Sequence, residues 1–381
     1  MQNPDRRLFL SALAATILAA CDSPAQTTAN VDGTTGLPPD LRPAPNAAFD
    51  AWVAGFRPRA LNRGVAAATF DAAFAIAGFL PGVVTRDRTQ IQTRRTLEEY
   101  LSISASDERV AKGRAAYARH RGTFDAIEAR YGVEGPIVAA IWGKESLYGE
   151  RRGQIPVISS TATLAFDGRR GDFWENQLIA ALRILERGDT TPARLTGSWA
   201  GAMGHTQFIP TSYQEFAVDF TGDGRRDIWA DDPADALASA AAYLSRNGWQ
   251  RGLRWGSESG TGGPQGRTIQ PQQGGPAFIV TRNFDVIKRY NNSDFYALGV
   301  GHLADRIAGG GPLQGGFPPD ANGLTRADRI AIQQGLSDLG YDVGTIDGVI
   351  GPMSEAAIRD LQANRGLPVD GRASRAIRDL F

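Results

Sequence analysis

Residues 135–149 read Gly135-Pro136-Ile137-Val138-Ala139-Ala140-Ile141-Trp142-Gly143-Lys144-Glu145-Ser146-Leu147-Tyr148-Gly149. The stretch opens as a helix opens: proline suits the first turn, where its missing N–H costs nothing. Ile137, Ile141 and Glu145 follow at intervals of four, so they share one face. The pattern predicts a helix over 136–147 with a carboxyl at its end, on the core-facing stripe, and Gly149 closing the turn. Burial there disfavours the charged form of the carboxyl and raises its pKa. Such a group serves as a general acid near neutral pH. Spacing alone favours a plainer reading, a helix-end Glu145 met by solvent, by Lys144 or by an arginine.

The chain around this segment has 381 residues, 42% of them apolar, enough for a sizeable core in two or three domains. Composition excludes collagen, a disulfide scaffold and chain-wide disorder. The 41 basic and 41 acidic residues balance, so no nucleic-acid partner is expected. Three scattered His and one Cys leave no ligand set for a zinc ribbon or an iron–sulfur cluster, and no internal disulfide.

Apolar periodicity predicts further helices over 49–60, 66–77, 89–101, 108–131, 171–187 and 233–246. Phe278–Val280 reads as a short strand, and the Gly-, Ser- and Pro-rich run 256–276 as a flexible loop. The organisation expected is a main domain over 46–308, a Gly/Pro linker over 309–323 and a small module over 324–381. The module echoes itself. Asp347-Gly348 precedes Ile358-Arg359-Asp360-Leu361, and Asp370-Gly371 precedes Ile377-Arg378-Asp379-Leu380. Each half reads as a turn leading into an amphipathic helix, with convergence on a common loop–helix pattern as the alternative.

The N-terminus reads as an address. Arg6 and Arg7 precede a thirteen-residue apolar run, Leu8 to Ala20, too short to span a bilayer and shaped as a secretory signal. Leu18-Ala19-Ala20-Cys21 resembles a bacterial lipobox, and Arg6-Arg7-Leu8-Phe9-Leu10 a twin-arginine signal. The expectation is a signal peptide over 1–20, lipidation at Cys21, and a tether over 21–45. That makes a periplasmic protein anchored by lipid to a bacterial membrane.

Glu145-Ser146-Leu147-Tyr148-Gly149 also resembles the Glu-Ser/Thr-x-Tyr-Gly motif of the membrane-bound lytic murein transglycosylase B family. The match continues, in one order, through Ser198-Trp199-Ala200-Gly201-Ala202-Met203-Gly204 and Gln207-Phe208-Ile209-Pro210-Thr211-Ser212-Tyr213. Ala217-Val218-Asp219-Phe220-Thr221-Gly222-Asp223-Gly224 and Arg289-Tyr290-Asn291-Asn292-Ser293 extend it. The resemblance implies an α+β, mostly helical, lysozyme-like catalytic domain with a groove for a polymer. It implies cleavage of the β-1,4 bond between N-acetylmuramic acid and N-acetylglucosamine in peptidoglycan strands. The muramyl C6 hydroxyl attacks in place of water, leaving a 1,6-anhydro end. Glu145 then acts as acid and afterwards as base, so the usual carboxylate pair is unnecessary.

Carried over residue by residue, the family implies substrate contacts at Ser198, Gln207, Tyr290, Asn291 and Tyr296. It implies the same at Tyr243, for which core packing is the alternative, and at Arg169 and Arg170, which otherwise read as a solvated pair. His205-Thr206 departs from the family pattern. Asp219, Thr221 and Asp223 place side-chain oxygens at positions one, three and five of a calcium-type loop, with Gly224 at six and Arg225 at seven. Ala230 stands where the usual position-twelve Glu would be; the family implies Asp235 as the completing ligand. The ion expected is a structural Ca2+ or Na+, with no cofactor required for chemistry, and a plain turn is the alternative. Residues 324–381 resemble a three-helix peptidoglycan-binding module, and a monomer is expected. A water-using muramidase and a silent wall-binding scaffold are the competing readings.

Overall fold

The computed structural model describes residues 36–89 and 95–381; Cys21, the signal and most of the tether lie outside the described residues. The chain enters through α1 (Ala47–Asn62), α2 (Ala67–Phe74) and α3 (Pro81–Arg88), then α4 (Leu97–Ser104), α5 (Asp107–Arg119) and α6 (Arg121–Tyr131). Next come α7 (Gly135–Ser146), β1 (Ile155–Pro156), α8 (Val157–Asp167), α9 (Gly171–Arg187), β2 (Thr196–Gly197), α10 (Pro210–Phe216) and α11 (Ala234–Arg246). A small sheet, β3 (Gly256–Glu258), β4 (Arg267–Ile269) and β5 (Phe278–Val280), leads into α12 (Arg282–Tyr290) and α13 (Asp294–Ile307). No described helix is long and apolar enough to cross a membrane.

Several expected boundaries move, each for a local reason. Of the helix expected over 89–101, residues 90–94 lie outside the described residues; α4 begins at Leu97, where Thr96 and Glu99 form a reciprocal capping box. The helix expected over 108–131 divides at His120, which ends α5 and starts α6. The expected flexible loop carries two short strands, β3 and β4. β3 and β4 both pair antiparallel with β5, which is central. Its glycines are what let the backbones approach: a Cβ on Gly256 would lie 2.4 Å from the Ile279 carbonyl oxygen. Helix α8 escapes periodicity because Ser159, Ser160, Thr161 and Thr163 are fully buried in it. Their hydroxyls are occupied: Ser159 and Thr163 accept N–H from Gly78 and Leu80 of the α2–α3 connection, and Thr161 bonds back to Val157.

The main core surrounds α7, whose residues 137–142 are all buried. It packs against α13, α5, α11 and α6. The C-terminal module is α14 (Arg326–Asp338), α15 (Pro352–Asn364) and α16 (Arg375–Arg378) around its own core, including Ile332, Leu336, Ile358, Leu361 and Ile377. The echo in its sequence is a structural repeat. Buried Gln333 accepts from the N–H groups of Asp347 and Gly348, and Gln362 accepts from those of Asp370 and Gly371. One glutamine on each preceding helix thus closes each turn.

The linker and module are docked against the main domain. Gln314 and Gly315 donate their N–H groups to Glu258. Arg329, 3% exposed, pairs with Glu98 of α4 at 2.6 Å and with Asp320 at 2.9 Å.

Candidate active site

Glu145 occupies the last turn of α7. The helix stops there because Leu147 and Tyr148 adopt left-handed backbone angles, φ 50° and 59°, which non-glycine residues rarely hold. Side-chain bonds from distant segments hold them. The Tyr148 hydroxyl donates to the Arg109 carbonyl at 2.9 Å, and Arg109 Nη1 donates to the Gly143 carbonyl at 2.6 Å. Gly143 is required by this packing, since a Cβ on it would lie 2.4 Å from the Tyr148 hydroxyl oxygen. On the other flank Ser146 Oγ donates to the His205 carbonyl at 2.6 Å. Trp142 Nε1 donates to His205 Nδ1, so the imidazole proton sits on Nε2 and points at the Ala230 carbonyl. Burial pushes His205 down to about 4. The departure from the family pattern at His205 is thus a neutral brace of the turn that carries Glu145.

The Glu145 residue is half-buried, and burial pushes its carboxyl up to about 7, against the pull of Tyr296, Lys144 and Arg109. The Tyr296 hydroxyl donates to Glu145 Oε1 at 2.5 Å. Tyr296 stacks with Tyr290, ring centroids 6.4 Å apart. Tyr290 is held by a 2.7 Å bond from its hydroxyl to the Thr206 carbonyl. Tyr243 lies behind Tyr290, packed on Phe208 and Phe216, and its hydroxyl donates to the Arg289 carbonyl. Its 7% exposure makes it a support of the tyrosine row. Asn291, 1% exposed, has an Oδ1 with no hydrogen-bond partner among the described residues.

Ser198 and Gln207 lie on one loop, closed by bridges from Gly197 to Met203 and from Met203 to Phe208. Ser198 Oγ accepts N–H from Ala200 and Ala202. Gln207, at φ 54°, donates its amide to the carbonyls of Arg152 and Gly204. The Phe208 ring joins this loop to Tyr290, 5.8 Å away. Arg169 and Arg170 are tied elsewhere: both pair with Asp87 of α3, itself 1% exposed, and Arg169 remains half exposed. Of the acids that follow the Glu145 motif, Asp167 pairs with Arg88 and Glu175 with Arg59.

The acidic loop converges as expected. Carboxylate oxygens of Asp219, Asp223 and Asp235 lie within 4.8 Å of one another. Asp235 is buried and takes N–H bonds from Phe220, Thr221 and Asp227. Asp219 takes them from Gly222 and Gly224, Thr221 Oγ1 points to Asp219, and the Arg225 N–H goes to Asp223. An all-oxygen set of this kind fits a hard cation. Sequence reasoning did not find the partners of this turn: Arg109, which holds Gly143, and Ser104 and Tyr100, which meet the Lys144 ammonium. Each belongs to a helix whose pattern is that of ordinary core packing.

Comparison with known proteins agrees with this geometry. The family model described as a transglycosylase SLT domain matches residues 48–261 and 262–305, and a peptidoglycan binding domain matches 325–380. The membrane-bound lytic murein transglycosylase B of Escherichia coli (strain K12) is 32% identical over 211 residues, 47% of this chain and 58% of that protein. The chain therefore spans rather more than half the length of that relative. SltB3 from Pseudomonas aeruginosa, solved in complex with NAG-anhNAM-pentapeptide, is 42% identical with a TM-score of 0.69, covering 88% of this chain and 99% of that one. Escherichia coli Slt35, solved in complex with calcium, is 25% identical with a TM-score of 0.58, covering 70% of this chain and 94% of that one.

Proposed function

The chain belongs to the transglycosylase SLT domain family, and from that premise we propose that it is a peptidoglycan lytic transglycosylase in which Glu145 is the sole acid/base. The observation that carries this is the half-buried Glu145 carboxyl, raised to about 7 and held by Tyr296, on which Lys144 and Arg109 act and, among the described residues, no second carboxylate does. Protonated Glu145 gives its proton to the oxygen between muramyl C1 and the leaving sugar, and that bond breaks. The muramyl C6 hydroxyl then bonds to C1 and returns its proton to Glu145. No water is consumed, and the product ends in a 1,6-anhydro ring.

Tyr290, half-buried, offers its ring to a sugar, while Tyr296, 2% exposed, acts through its hydroxyl on Glu145. Asn291 follows Tyr290 and is buried beneath the groove, its Oδ1 left as an acceptor should the segment open to substrate. Ser198 and Gln207 line the same groove. Arg169 retains exposed guanidinium for stem-peptide carboxylates, with Arg170 bracing Asp87. The Asp219, Thr221, Asp223, Arg225 and Asp235 loop binds a structural Ca2+ or Na+ and takes no part in bond breaking; calcium is what the Slt35 structure holds. The module over 324–381 binds the wall. The protein is exported to the periplasm, lipidated at Cys21 and monomeric, a reading supported by the lipobox-like sequence and by the membrane-bound relative.

Mass spectrometry of muropeptides released from purified sacculi tests the reaction. Products lighter by one water than the reducing form are expected, and none from Glu145→Gln, which should still bind sacculi. Reducing ends would mean hydrolysis, and release by the variant would remove Glu145 from its role.

A further inference from the structure

We propose that Lys144 is a positioning residue of this reaction: its ammonium, fixed between Ser104 and Tyr100 one residue before Glu145, is the positive charge that steadies the Glu145 carboxylate between its two proton transfers. The inference rests on Glu145 being the acid/base.

Lys144 is 6% exposed. Its Nζ donates to Ser104 Oγ at 2.7 Å and sits 4.1 Å from the centre of the Tyr100 ring. Among the described residues no carboxylate forms an ion pair with it. A buried ammonium served by one hydroxyl and one aromatic face is an unfavourable arrangement. Lysine ordinarily extends its charge to water. Methionine of similar length would fill the space without that cost. What the position gains from lysine is its charge, and the carboxyl on which that charge acts is Glu145, the next residue of α7.

The surroundings hold that charge in place. Ser104 and Tyr100 are both on α4, and α13 closes over them: a Cβ on Gly299 would lie 3.1 Å from Ser104 Oγ and 3.1 Å from Tyr100. The ionisable groups facing the pair are Tyr100 and Arg95 from α4 and the residues before it, Arg109 from α5, Tyr290 from α12 and Tyr296 from α13. Those of α6 and α11 are turned away, Glu128 onto Gly135 N–H and Tyr243 onto the Arg289 carbonyl. Burial lowers Lys144 to about 7 while the Glu145 charge pulls it back up. Arg109 stays charged at any working pH, so Lys144 is the adjustable cation. In the reaction it neither gains nor loses a proton. Glu145 passes its proton to the leaving oxygen, the resulting carboxylate is stabilised by the neighbouring ammonium, and the C6 hydroxyl proton then returns to Glu145.

The test is the pH dependence of kcat/KM on soluble glycan–peptide fragments of peptidoglycan. The alkaline limb reports loss of the Glu145 proton. Lys144→Met removes the cation, so Glu145 keeps its proton longer. The limb should move up by about one pH unit with KM unchanged. Lys144→Arg keeps the charge and should keep the limb near its original place. Should Lys144→Met not fold, Ser104→Ala removes the acceptor that favours the ammonium, and it should move the limb in the same direction. An unmoved limb in the folded variants overturns the proposal. Glu145→Gln, assayed alongside, separates the two readings. Its activity would overturn the role of Glu145, whereas an inactive Glu145→Gln with an unmoved Lys144→Met limb sinks Lys144 alone.

Discussion

Replacing Glu145 by Gln should stabilise the folded protein above neutral pH and leave it unchanged in acid. The ordinary carboxyl value is 4.5, and burial raises that of Glu145 to about 7 in the folded chain. Between those values the folded state keeps a proton that the unfolded state has released. Stability therefore falls as pH rises from 4.5 to about 7 and stays lowered beyond. The full gap corresponds to about 3 kcal/mol, and the opening of the cleft to solvent reduces this to about 2 kcal/mol. Glutamine has the same shape, carries no charge and still accepts from the Tyr296 hydroxyl. Its main thermal transition should lie ~4 °C above the parent at pH ~8 and coincide with it at pH ~4. Thermal unfolding followed by circular dichroism at the two pH values measures this. A gap of equal size at both, or a variant less stable at pH ~8, would refute the reasoning, because the destabilisation would not then come from the buried charge. The expected result describes a site that trades stability for a poised acid.

Two further outcomes follow from the same geometry. Gly143→Ala gains about 1 kcal/mol of helix propensity, but its Cβ would meet the Tyr148 ring at 2.4 Å. Overpacking should win, with a net loss of about 1–2 kcal/mol and activity down roughly tenfold or more as Glu145 shifts; a stabler, fully active variant in thermal unfolding and sacculus digestion would contradict the packing. Calcium should raise the midpoint by about 3 °C at roughly ten times its Kd, and Asp235→Asn should abolish the shift; an equal calcium response in that variant would remove Asp235 from the site.

The turn that carries Glu145 was legible because it is local. Proline at the start of α7, the fourfold spacing to Glu145 and the short motif after it sit within fifteen residues. The acidic loop was legible for the same reason, and Asp235 arrives from the first turn of α11 to complete it. What spacing could not reach were partners far along the chain. His205 braces Trp142 and Ser146 from about sixty residues away, and Ser104 meets Lys144 across forty. Helix α8 was illegible for another reason. Periodicity reads Ser and Thr as surface, whereas here their hydroxyls are satisfied inside by the backbone of a neighbouring connection. Arg169 and Arg170 show a third limit: nothing near them in sequence announces Asp87, the buried carboxylate with which both pair.

The linker teaches most about how the parts work together. Its Gly/Pro composition predicts a flexible tether, for which the benefit of the module is a raised local concentration of wall. The structure replaces that freedom with a specific contact. Arg329 spends its guanidinium on Glu98, Asp320 and the carbonyls of Leu324 and Gly348, nearly all of it hidden from water. Removing one partner of such a pair would leave an uncompensated buried charge, a loss of several kcal/mol, so the contact is selective rather than incidental. Glu98 stands in the first turn of α4, and the other end of that helix carries Ser104, the acceptor for Lys144 beside Glu145. One two-turn helix thus touches the module at its start and the Lys144 ammonium at its end. Displacement of the module would be felt first in the pairing of Glu98, and next in the placement of the hydroxyl that holds the ammonium.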